Sequence, residues 1–131
     1  DVKLKHLNEY IAARQKAATY YDNAFVNHPK ILVPTRSEKS SHVFHQYTLR
    51  LLDVDRDALR AALAEAGVPA MIYYPVPLHM QKAYQDSRYK EGDFPVAERL
   101  ANCVLSLPMH TELDEEQLAY ITQNVLEALN T

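Results

Sequence analysis

The stretch Tyr73-Tyr74-Pro75-Val76-Pro77-Leu78-His79-Met80-Gln81 leaves this chain less conformational choice than any other. Proline locks its own φ and pushes the residue before it toward extended geometry. Tyr74 and Val76 are therefore expected to be extended, in a stiff loop that is not helical. An apolar, strand-like run ends in the two tyrosines, and Tyr, His and Gln are then presented together. Such a loop suits a binding site better than a mere connection.

The 131 residues around it make one domain by length. With 47% hydrophobic and 24% charged residues, the chain has enough apolar material for a core. Its net charge is -3 and its Lys and Arg residues are scattered, which excludes the basic footprint of a nucleic-acid binder. Cys103 is the single cysteine, so no internal disulfide can form, which fits a reducing compartment. Its apolar setting, Ala101 to Leu105, reads as a buried, inert thiol. No apolar segment approaches the ~20 residues that span a bilayer. The opening Asp1-Val2-Lys3-Leu4-Lys5 is polar and amphipathic, unlike a signal peptide. It lacks an initiator Met and begins inside a helical pattern, so a piece of something longer is expected.

Leu4, Leu7, Ile11, Ala18, Tyr21 and Phe25 recur at helical spacing, which predicts a long amphipathic helix from the start to about His28. At ~1.5 Å per residue it would run about 40 Å, long enough to pack on something besides this domain. Arg14 interrupts the stripe. Either its stem packs while its head reaches water, or it pairs with a partner surface. Pro29 and Pro34 bracket a short extended piece, Lys30 to Val33. His42 to Leu52 reads as the clearest strand. Val43, His45, Tyr47, Leu49 and Leu51 take one face; His42, Phe44, Gln46, Thr48 and Arg50 take the other, mostly polar one. Asp53-Val54-Asp55 caps a helix from Arg56 to about Ala66, and Gly67 stands where a left-handed residue ends it. Val68 to Tyr74 reads as a short buried strand, giving a βαβ unit or a split version of one. Met80 to Tyr89 is a short helix or a winding loop. Asp93 and Pro95 start a helix that runs to about Val104. Leu105 to Pro108 is a short extended stop. Asp114 and Gln117 form a capping box for the last helix, with Leu113 and Leu118 as its staple. Its buried stripe is Leu118, Ile121, Val125 and Leu129.

The six histidines hold no metal signature. His42 and His45 should leave opposite faces of one strand, so they cannot chelate together without a bulge. His79 sits in the constrained loop beside Tyr73, Tyr74 and Gln81. It either satisfies a carbonyl within the loop or faces a ligand. For His110, exposure is favoured, with Thr111 or Asp114 capping the helix that follows. Tyr84 and Tyr89 are expected to pack as amphipathic cover. Each of the seven lysines sits in a polar or helix-surface context, unlike the desolvated lysine that forms a Schiff base. From the residues alone, the chain is an α/β domain with a binding loop and no self-sufficient catalytic set.

Taken together, Tyr73 to Gln81, Gly92-Asp93-Phe94-Pro95-Val96-Ala97-Glu98 and Val104-Leu105-Ser106-Leu107-Pro108-Met109-His110 resemble the C-terminal part of the DegT/StrS family. These are pyridoxal-phosphate-dependent nucleotide-sugar aminotransferases of fold type I. Val2 to Leu7 resembles their linking helix, and Ser41 to Phe44 their first small-domain strand. The resemblance implies an α/β (α+β sandwich) small domain, with a long linking helix at 1–28 and a few-stranded sheet covered by helices at 29–131. It implies a cytoplasmic enzyme that moves an amino group, usually from glutamate, to a keto-sugar on a nucleotide. A UDP-linked acetamido sugar for surface polysaccharide is favoured. The cofactor lysine and most pyridoxal phosphate contacts would lie in a large domain outside this sequence, so this piece alone is expected to be inactive. It would close one side of the site of a homodimer. His79 would then hydrogen-bond substrate, Tyr74 and Gln81 would shape the pocket, and His42 and Arg50 are further candidates. No metal, nucleic acid or membrane is implied. The competing reading is a stand-alone, non-catalytic module that binds a small ligand or regulates.

Overall fold

The structure, a computed structural model, describes residues 2–130; Asp1, the first residue of the expected helix, lies outside them. A 3-10 turn, Lys3–His6, leads into helix α1, Leu7–Phe25. Ala17, Ala18, Tyr21 and Phe25 carry its buried stripe, whereas Val2, Leu4 and Leu7 are exposed. The N-terminal half of the predicted stripe is thus real in sequence and uncovered in space.

Strand β1 is short, Ile31–Leu32. Strand β2, Tyr47–Leu51, is the middle strand of an antiparallel sheet whose other edge is β3, Val104–Leu107. Leu49 faces Leu105 and Thr48 faces Ser106. Side chains alternate across a strand. Tyr47, Leu49 and Leu51 therefore enter the core, and Thr48 and Arg50 take the second face. Ser106 also exchanges backbone hydrogen bonds with Met71, at 2.9 and 2.7 Å. Met71 thus runs antiparallel to β3 on the side away from β2, so the split form of the βαβ unit is the one that forms. The predicted strand at Val68 to Tyr74 is reduced to this single bridge.

Helix α2, Arg56–Glu65, is capped by Asp55, whose carboxylate accepts from Asp57 N and Ala58 N, and Gly67 closes it at φ 73°. Helix α3, Pro95–Cys103, precedes β3, and helix α4, Glu115–Asn130, ends the fold. Asp114 and Gln117 form the reciprocal capping box, at 2.8 and 3.1 Å. Lys30 Nζ donates to Leu129 O at the far end of α4, where the helix dipole favours a cation. Helices α1, α2 and α4 cover one face of the sheet, and the core lies between (Tyr21, Phe25, Leu59, Leu63, Leu118 and Val125 against β2 and β3). This is the expected class, helices packed on a small sheet. Helix α3 lies over the second face, beside Thr48 and Val104.

Several expectations need correction. The strand drawn from His42 starts only at Tyr47, because Phe44 takes φ 49° and turns the chain. That turn sends Phe44 into the core instead of onto the polar face and leaves Val43 exposed. Arg14, half-buried, spends its head on the fold itself: Nη1 donates to Phe44 O, His45 O and Met109 O at 3.0, 3.1 and 3.4 Å, tying α1 to the turn. Asp93 does not cap α3, since Phe94 is the N-cap residue. Cys103 is half-buried, and Tyr84 and Tyr89 are exposed.

Candidate functional site

The second face of the sheet and the loop that follows Met71 enclose a cavity of about 630 Å³. Thr48 and Val104 form its floor, and Ala97 and Leu100 of α3 form one wall. Tyr73, Tyr74, Pro77, Leu78, Gln81 and Tyr84 form the rim. The prolines force short local turns: Met80 N donates to Pro77 O at 2.9 Å and Gln81 N to Leu78 O at 3.1 Å. Gln81 Nε2 donates back to Val76 O at 3.0 Å and closes the loop on itself. Tyr74 remains 73% exposed. The rim thus offers tyrosine hydroxyls over apolar walls, a surface suited to a ligand with both ring faces and hydroxyls.

His79 is not beside Tyr74 and Gln81 in this cavity. Its side chain is only 8% exposed and Nε2 lies 2.9 Å from Glu98 Oε1. Its ring packs on Phe94 at 4.8 Å, and it borders a separate concavity with Met80, Tyr89 and Lys90. A carboxylate can only accept, so Nε2 carries the hydrogen of this bond. Glu98, in the first turn of α3, also accepts from Gly92 N (3.0 Å to each oxygen) and Phe94 N (3.3 Å). Desolvation raises its carboxyl, but the Gly92 and Phe94 N–H groups and the His79 ring outweigh it and hold the carboxyl below its ordinary 4.5. The contribution of Glu98 to stability is therefore present above pH 4.5 and lost as pH falls through the lower folded value.

Gly92 enables this arrangement. Its φ is 92°, and a Cβ built there would meet nothing within 4 Å. The cost of Gly92→Ala is thus conformational alone, about 1 kcal/mol of stability. A urea titration of the two chains checks it; an unchanged midpoint contradicts the assigned backbone.

His42 and His45 share one concavity of about 340 Å³ with Gln46 and Thr48, although strict alternation had put them on opposite faces. The φ > 0 turn at Phe44 is the reason. His42 Nδ1 accepts from Phe44 N at 2.9 Å, and its ring lies 4.3 Å from that of Phe44. Thr48 borders both this concavity and the larger cavity. Arg50 is exposed one pleat further along and borders neither. His110 is exposed, as expected. Among the described residues, no cluster of three or more His, Cys, Asp or Glu could hold a metal ion. All seven lysines are exposed, so nothing here fits the enclosed amine that pyridoxal phosphate needs.

Thr48, Tyr73 and Glu98 are not among the substrate contacts expected from the sequence, although Tyr73 stands in the constrained loop. Thr48 was visible on the polar face of β2. Glu98 stood in a quoted motif, but its fold toward His79 had no local signal.

The family model described as DegT/DnrJ/EryC1/StrS aminotransferase family matches residues 1–126. The chain belongs to this family. It is 43% identical over 128 residues to a protein from Geobacillus stearothermophilus named pleiotropic regulatory protein, covering 96% of this chain and 34% of that one. It is 40% identical to the UDP-N-acetyl-3-dehydro-alpha-D-glucosamine 3-aminotransferase of Acidithiobacillus ferrooxidans, covering 95% of this chain and 32% of the relative. The crystal structure of S. venezuelae DesV in complex with a ketimine intermediate superposes with TM-score 0.90 at 32% identity, over 96% of this chain and 33% of DesV. The chain thus spans about a third of the length of the family members it matches.

Proposed function

We propose that this chain is the small domain of a pyridoxal-phosphate-dependent aminotransferase that moves an amino group from glutamate to a keto-sugar on a nucleotide. The observation that carries the reading is the family match across 1–126, in a chain with a cavity of about 630 Å³ walled by the proline loop. Relatives with names such as UDP-N-acetyl-3-dehydro-alpha-D-glucosamine 3-aminotransferase support a nucleotide-sugar substrate, with a UDP-linked acetamido sugar for surface polysaccharide as the finer assignment.

Pyridoxal phosphate supplies the electron sink, and the residues that seat it belong to the part of the protein beyond this sequence. The chain's own residues bind, orient and exclude water. Tyr74, with Tyr73 and Tyr84, faces the sugar across the 630 Å³ cavity. Gln81 closes the loop on itself, and His79, outside this cavity, holds the loop to α3 and faces only the adjoining concavity. His42, ahead of the turn into β2, and Arg50, on the second face of the sheet, lie beyond this cavity. The whole protein is cytoplasmic and works as a homodimer, and the uncovered start of α1 suits contact with surface outside this chain.

Full-length protein supplied with pyridoxal phosphate, glutamate and a UDP-linked 3-keto-sugar is expected to yield the amino-sugar, read by mass spectrometry. The 131-residue chain alone, shown folded by circular dichroism, is expected to retain no cofactor after gel filtration and to give no product. Turnover by the piece alone contradicts the assignment. A second reading, a binding module without catalysis, is favoured by one observation: the relative at 43% identity is named a regulatory protein. Saturable sugar binding by full-length protein that yields no amino-sugar selects it.

A further inference from the structure

We propose that Glu98 is a positioning residue: through His79 and the turn at 92–94 it sets the proline loop in the conformation that faces the sugar. This rests on the reading that the loop contacts the nucleotide-sugar.

The argument begins with what does not hold the loop. Tyr74, Val76 and Leu78 are exposed, so packing of these side chains cannot fix it. Its backbone hydrogen bonds after Met71 are local, and Gln81 reaches back only to Val76. Among the described residues from Ile72 to Gln81, one side-chain hydrogen bond reaches beyond residue 84, and it is His79 to Glu98.

That tie is built to be rigid at its far end. Glu98 belongs to a helix, and its two oxygens are already fixed by Gly92 N and Phe94 N. Phe94 closes one side of the His79 ring. The pair is largely shielded from water, with side-chain exposures of 8% and 19%, so competition from solvent is weak. Removing the carboxylate leaves a shielded N–H without a partner and frees the loop from α3. A donor stranded in this way costs more than the bond itself contributed.

The consequence is selective. The loop borders the cavity assigned to the sugar; Glu98 lines neither that cavity nor the adjoining one beside His79. In full-length protein, Glu98→Ala is expected to raise KM for the nucleotide-sugar by about tenfold while KM for glutamate stays nearly unchanged. Glu98→Gln keeps Oε1 as an acceptor for His79 and Phe94 but sets an amide NH2 where Oε2 accepts from Gly92 N, and is expected to recover part of the loss. Trypsin supplies a readout independent of activity: cleavage after Lys82, Arg88 and Lys90 is expected to accelerate in Glu98→Ala and less in Glu98→Gln. A purely stabilising role would instead lower the melting temperature and affect both substrates alike.

If Glu98→Ala fails to fold, His79→Phe decides, because the ring can still pack on Phe94 while the tie is lost. It is expected to reproduce the raised sugar KM and the faster cleavage. Wild-type KM and wild-type cleavage in the folded variant overturn the proposal. No turnover by the wild-type protein overturns the functional reading instead, and the cleavage comparison still tests the loop.

Discussion

Leu49→Ala is expected to lower the stability of the 131-residue chain by about 2–5 kcal/mol, the range for emptying a large aliphatic side chain from a packed core. Leu49 is the centre of the middle strand, fully buried, and lies opposite Leu105. Tyr47 and Leu51 flank it on the same face, and both neighbouring strands are hydrogen-bonded, so the backbone has little freedom to close the gap. Domains of this size hold only ~5–15 kcal/mol in total. One substitution thus removes a large part of the margin. Urea midpoints of the two chains measure it. A loss under ~1 kcal/mol means that the sheet can collapse onto the vacancy and that the core is less tightly packed than described.

Alkaline pH should unfold the chain through two tyrosines. Tyr21 and Tyr47 are both inaccessible, with hydroxyls donating to Pro108 O at 2.8 Å and to Asp22 Oδ1 at 2.7 Å. Burial pushes both phenols far above their ordinary 10.0. For Tyr47 the Asp22 hydrogen bond and charge push the same way, and Arg36 opposes them. The folded state therefore holds these protons more tightly than the unfolded chain. Their stability is intact below pH 10 and is lost as pH rises above it. Each phenol contributes about 1.4 kcal/mol per pH unit, so the pair gives up to roughly 2.7. Urea midpoints between about pH 9 and about pH 12 should fall steeply, and Tyr21→Phe should halve the slope. A flat profile would mean that these phenols ionise without unfolding.

How far the sequence alone could reach depended on whether the cause was local. Asp55, Gly67 and the Asp114–Gln117 box were legible because a cap is decided by residues a few positions apart. The stripe of α4 was legible for the same reason. The length of β2 was not. Phe44 turns at φ 49° where the Arg14 guanidinium, thirty residues earlier, holds its carbonyl. Nothing in the run His42 to Leu52 announces a contact made from α1. That single miss also misplaced His45, which shares a concavity with His42. β3 was read as a mere stop because its importance comes from its partners, Tyr47 to Arg50 on one side and Met71 on the other.

The candidate site divides along the same line. Two prolines and two tyrosines mark the loop, and the structure places Tyr74 and Gln81 on one cavity. The environment of His79 could not be read in the same way. Its partner Glu98 lies nineteen residues on, across a turn that depends on the positive φ of Gly92.

The most direct test is amide hydrogen exchange of the full-length protein with and without a UDP-amino-sugar. Slowed exchange centred on residues 73–84, with α4 unaffected, is the predicted result. Sugar binding that leaves 73–84 unchanged contradicts the proposal that this loop faces the substrate.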